Sequence, residues 1–118
     1  MATWDDVRRL ALAFPDTTEG TRWGTLCWYV GKKGFVWERP LRKKDLEDLG
    51  DAAPQGEILG ATVEHEIAKQ ALLADPSGVF FTIPHFDGYP AILVRLDDIT
   101  AQDLEEVVTE AYLIAAGK

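Results

Sequence analysis

One cysteine, two histidines and one methionine are all that this chain of 118 residues offers of the soft side chains that commonly build redox, metal or nucleophilic centres. Cys27 alone cannot close an internal disulfide, so a reducing cytoplasm is the expected setting. Basic charge is scarce too. Twelve lysines and arginines face twenty acids, and a net charge of −8 excludes a uniformly basic nucleic-acid coat protein, because DNA would repel most of such a surface. No apolar run approaches the roughly twenty residues that span a bilayer, so no membrane partner is expected. Asp5 and Asp6 occupy the place where a secretory leader would be cationic. What remains is an ordinary globular balance, 47% hydrophobic and 27% charged, in a length that suits one domain over residues 1–118.

Periodicity supplies the elements. Trp4, Val7, Leu10, Ala11 and Phe14 recur at helical spacing behind Thr3, an N-cap with Asp6 in the capping-box position, and Phe14-Pro15 stops the helix. From residue 23 to 38 the period becomes two: Leu26, Trp28 and Val30 share one face and Cys27 and Tyr29 the other. The pattern breaks at Gly31-Lys32-Lys33-Gly34 and resumes at Phe35, which predicts a β-hairpin. Residues 44–49 suggest a short helix closed by Gly50, and residues 58–63 either a short strand or irregular chain. Residues 64–74 predict a helix with Ile67, Ala68, Ala71 and Leu72 on its inner side. Residues 79–83 and 91–96 predict a second hairpin whose loop, Pro84 through Pro90, should project from the sheet, because proline cannot join a ladder. Thr100 then caps a helix whose buried stripe is Leu104, Val107, Val108, Ala111, Tyr112 and Ala115. The expected fold is α+β: a small antiparallel sheet built from two β-hairpins, with N- and C-terminal helices packed on one face.

Catalysis is not indicated. No Gly-x-Ser-x-Gly elbow and no glycine-rich phosphate loop occurs, and Cys27 lies in an apolar alternating strand with no signature of thiolate activation. His85-x-Asp87, and His65 between Glu64 and Glu66, lack zinc spacing, so no metal and no cofactor are expected.

The charge distribution is more informative. Between Gly20 and Lys44 lie seven bases and one acid, Glu38, so that this segment carries +6 and the remainder −14. Such asymmetry marks a binding patch on an otherwise repelling protein. Lys32, Lys33, Arg39, Arg42, Lys43 and Lys44 are the candidates for phosphate contact, with weak, non-specific double-stranded DNA as the partner. The alternative is a small-molecule or peptide-binding module, its cleft bordered by Trp23, Trp28, Trp37, His85, Phe86 and Tyr89, since aromatic side chains line pockets as well as cores.

The helix ending in Phe14-Pro15, the following Thr17-Thr18-Glu19, Trp23-Gly24 ahead of a strand, the Gly31-Lys32-Lys33-Gly34-Phe35 turn and the closing helix over residues 104–112 together resemble the MmcQ/YjbR-like proteins. The resemblance implies a frataxin-like (CyaY-like) α+β domain whose two hairpins form a double wing proposed to bind DNA. By position the wings are residues 31–34 and 84–90, of which only the first is basic.

Overall fold

Thr3 opens the first helix as predicted. In the computed structural model, which describes residues 2–22, 24–53 and 56–117, its hydroxyl accepts from the Asp6 N–H while the Asp6 carboxylate accepts from the Thr3 N–H at 2.9 Å. Helix α1 (Trp4–Leu12) follows, burying Val7 and Ala11. Asp16, at φ 63°, then reverses the chain after Pro15.

Strand β1 (Thr17–Arg22) comes next, and no alternation predicts it. Its residues are polar on both faces because it is the sheet edge, and its backbone is held along its whole length by β2 (Thr25–Val30). The predicted hairpin is present as β2 and β3 (Lys33–Glu38), with Gly31 at φ 60° in its turn. A bulge at Trp28/Tyr29 shifts their register. Helix α2 (Lys43–Leu49) and a 3₁₀ turn at Gly50–Ala52 lead to β4 (Ile58–Thr62), so the ambiguous residues 58–63 are mostly strand. Helix α3 (Glu66–Leu73) is capped by His65, whose Nδ1 accepts from the Ala68 N–H. The second hairpin has only two residues in its first arm, β5 (Phe80–Phe81), against β6 (Ala91–Arg95). Helix α4 (Ala101–Ala115) begins at Thr100, as its sequence predicts.

The sheet is antiparallel with order β1-β2-β3-β4-β6-β5, so two strands beyond the two expected hairpins complete it. Its first face, bearing Trp28, Phe35, Val36, Leu59, Ile92 and Val94, is covered by α1 and α4 and forms the main core. Tyr112 of α4 locks that core: its ring stacks on Phe14 at 4.3 Å, meets Phe35 edge-on at 5.9 Å, and its hydroxyl donates to the Pro15 carbonyl.

The second face is only partly covered. Ile58, Ile83 and Leu93 pack there against Leu41, Leu49, Phe81 and Phe86, a smaller cluster under the segment leading into α2 and the 84–90 loop. That loop does not project. A 3₁₀ turn at Pro84–Phe86 folds it back over the sheet with Phe86 half-buried, although Tyr89 stays 60% exposed. Among the described residues no helix is long and apolar enough to cross a membrane.

Candidate ligand-binding cleft

The seven bases between residues 20 and 44 divide into two groups. Lys32 and Lys33 are exposed at the β2–β3 turn. Arg39 and Arg42 lie beyond the other end of β3, about 17 Å away at the rise of an extended strand. Arg22, the last residue of β1, belongs with the second group, because it pairs in register with Thr25 while the Leu26 N–H donates to Glu38.

Two of the predicted phosphate ligands are engaged within the fold. Arg39 is 8% exposed, donates to the Pro40 carbonyl at 2.6 Å and forms an ion pair with Asp45 at 3.1 Å. Asp45, itself buried, also accepts the Arg42 N–H at 2.9 Å, so one carboxylate anchors the entry to α2. Arg39 is therefore an internal tie that pins residues 39–45, and not a surface cation offered to phosphate. Lys44 meets Asp48 one turn on, at 3.4 Å. Arg42 and Lys43 are exposed.

The second group surrounds a cleft of about 230 Å³ on the uncovered part of the second face. Cys27 and Trp37, register partners on β2 and β3, line its base. The indole of Trp37 rests on Gly60 of β4, where any Cβ would collide with the ring, so the glycine is what lets the tryptophan lie against the sheet. Arg22 holds its guanidinium over that indole, 5.7 Å from the ring centre. Arg42, His85 and Phe86 close the opposite side, and Phe86 is held there by Arg39, 5.4 Å above its ring. Burial pushes the Cys27 thiol above its ordinary range, against smaller pulls from a hydrogen bond with Tyr29 and from the Arg22 charge. A protonated, buried thiol is no nucleophile, and the cleft offers recognition by cations and aromatic surface, with one acidic residue in its lining, Glu38, whose carboxylate accepts the Leu26 N–H. Among the described residues no three His, Cys, Asp or Glu side chains converge as a metal site.

Of the aromatic residues expected at a cleft, Trp37, His85 and Phe86 are brought together. Trp28 is not among them. It is fully buried on the helix-covered face, stacked on Trp4 at 6.2 Å with its Nε1–H donating to Glu19, because its own alternation places it opposite to Cys27. Tyr89 is exposed and contributes its carbonyl instead, and Trp23 lies outside the described residues.

The residue that sequence reasoning missed is Lys69 of α3. It is 2% exposed, and its Nζ donates to the Phe86 and Tyr89 carbonyls at 2.7 and 3.2 Å, tying down the loop that closes the cleft. Of the predicted inner side, Ala68 and Leu72 are partly buried as expected, but Ile67, 78% exposed, and Ala71 face outward, and Lys69 and Leu73 complete the inward stripe instead.

A family model described as YjbR matches residues 12–114. Uncharacterised proteins of Mycobacterium tuberculosis and Mycobacterium bovis are 53% identical over 121 residues, covering all of this chain and 92% of theirs. Among solved structures, Deinococcus radiodurans protein DR2400, with its DUF419 domain, superposes with a TM-score of 0.74 at 21% identity, over all of this chain and 81% of that one. A Pseudomonas syringae protein superposes at 0.72 with 12% identity, over 98% of this chain and 99% of that one. Likeness at these identities shows a shared fold.

Proposed function

The chain belongs to the YjbR family, and on that premise we propose that it is a non-enzymatic, cytoplasmic binding domain for a small anionic ligand carrying a flat apolar group. What supports the reading is a cleft lined by Arg22 and Arg42 from separate segments, with Arg22 stacked over a Trp37 indole bedded against Gly60. A guanidinium offers a planar fork of donors to a carboxylate or phosphate and stacks on aromatic faces, so two of them lining a cleft floored by Trp37 suit a ring with an acidic substituent. The cleft is smaller than a drug-sized pocket, which favours a ligand of roughly ten heavy atoms and a dissociation constant on the order of 0.1–1 mM.

Phenyl phosphate is a suitable probe. Titrated into labelled protein and followed by NMR, it is expected to shift signals from residues 22–27, 37–42 and 85–86, with Arg42→Ala weakening the effect about tenfold. Arg42 is exposed, so this variant keeps the fold. Saturable binding absent at millimolar probe, or equal in the variant, would reject the reading.

A second reading, weak duplex binding through the first wing, is favoured by the exposure of Lys32 and Lys33 at the β2–β3 turn. It ranks behind because Arg39 and Lys44 already have carboxylate partners and the remaining cations sit at both ends of β3. Fluorescence anisotropy of a labelled duplex tests it: Lys32→Ala with Lys33→Ala should lower the salt slope by about two. Duplex binding insensitive to both lysines excludes the wing.

A further inference from the structure

A second depression lies on the helix-covered side of the sheet, between α3 and α4, away from the cleft. It encloses about 370 Å³ and is the larger of the two. Its floor is apolar: Val63, Leu72, Phe80, Ile92, Val107 and Ile114. Five carboxylates edge it, Glu64 and Asp75 flanking α3 and Asp103, Glu106 and Glu110 along α4. Glu64 lies 3.9 Å from His65 Nε2, and Asp75 accepts the Ser77 N–H at 2.8 Å. Among the described residues none of the five is paired with a lysine or arginine, and no basic residue lines the depression.

We propose that this groove docks a basic amphipathic helix of another protein, with the helix's apolar side chains on the floor and its lysines or arginines against the five carboxylates. Charge complementarity selects the chemistry: an apolar trough bordered by unneutralised anions rewards a ligand that is apolar along one line and cationic on both sides of it. Length selects the form. From Asp103 to Ile114 the groove follows α4 for about 16 Å, which matches some three turns of a docked helix and exceeds a compact organic cation. Ile67, on α3 one turn before the groove-lining Ala71, is 78% exposed and extends the apolar surface that such a helix would cover. A second copy of this chain fits less well. Its exposed cationic tip, Gly31-Lys32-Lys33-Gly34, has no apolar side chain to insert, and the lysines of α2 are followed at once by Asp45 and, past a lone Leu46, by Glu47 and Asp48.

The probe is a synthetic helix of about twelve residues, leucine and alanine on one face and lysine on the flanks. A scrambled peptide of the same composition serves as control. At low salt the amphipathic peptide should shift NMR signals from residues 62–75 and 103–114, and Glu106→Lys with Glu110→Lys should weaken it about tenfold or more. Both glutamates are exposed, and unchanged signals from the β2–β3 hairpin will verify the variant's fold. Equal binding of the scrambled peptide, equal binding to the variant, or shifts confined to other regions would overturn the proposal. So would self-association of the protein that the double reversal abolishes, since the occupant would then be a second copy.

Discussion

Without the Asp45 carboxylate, the Arg39 guanidinium would stand 8% exposed beside a single carbonyl. Stranding one half of a buried ion pair costs several times what an exposed pair is worth. Asp45→Ala should therefore lower the unfolding free energy in urea by about 3 kcal/mol. Replacing both partners, as Arg39→Met with Asp45→Leu, should cost clearly less than the two single changes added, because no charge is left alone. A loss under about 0.5 kcal/mol for Asp45→Ala would mean that water reaches the pair and that Arg39 is available to ligands after all. This is also where residue identity stops being informative. The run from Arg39 to Lys44 reads as one cationic patch, and only the fold reveals that a carboxylate six residues on turns back beneath its first member. Trp28 and Trp37 differ in the same way. Alternation assigns Trp28 correctly to the face shared with Leu26 and Val30, but which face holds the cleft depends on pairing Trp37 with Cys27 and Gly60, and register is a property of neighbouring strands.

At the scale of elements, the 84–90 loop depends on a lysine from another part of the chain. A buried ammonium is costly unless its donors are used, and Lys69 spends two of them on the Phe86 and Tyr89 carbonyls. Lys69→Met keeps the apolar stem and removes both bonds. The expected result is a local one: amide exchange at residues 86–89 accelerates about tenfold or more, while global stability changes by less than about 1.5 kcal/mol. The buried charge is gone, and each carbonyl keeps a backbone donor, the Tyr89 N–H on Phe86 and the Ala91 N–H on Tyr89. Unchanged exchange in the loop would show that its prolines and Phe86 suffice to hold it. Elements carrying their own signals were legible beforehand. Thr3 and Thr100 cap α1 and α4 where expected, and the Gly31 turn joins β2 to β3. Strand β1 was not legible, because Thr17 through Arg22 has no apolar side to show and owes its form to β2. The loop was misread for a related reason. Prolines keep it out of the ladder, as argued, but its direction is decided by Lys69 and by the exposed apolar face that Phe86 covers.

Over the whole molecule the sheet separates charge. Arg22 and Arg42 line the cleft on one face, and five carboxylates with no lining base edge the groove between α3 and α4 on the other, so a net charge of −8 understates the anionic density beside α4. Like charges three and four positions apart on a helix repel by about 0.2–0.5 kcal/mol a pair, and Glu106 has Asp103 and Glu110 at those spacings. Glu106→Lys turns both repulsions into attractions, a gain of about 1 kcal/mol. In a chain of this length that corresponds to a rise of roughly 4 °C in Tm. The gain is electrostatic and lies at the surface, so it should shrink severalfold at 1 M salt, where screening acts over about 3 Å. Circular dichroism melts of the two proteins at low and high salt measure it. A Tm that Glu106→Lys leaves unmoved at low salt would mean that the carboxylates along α4 are already compensated. The surplus of negative charge that the groove is argued to hold for a basic helix would then be absent before any peptide was added.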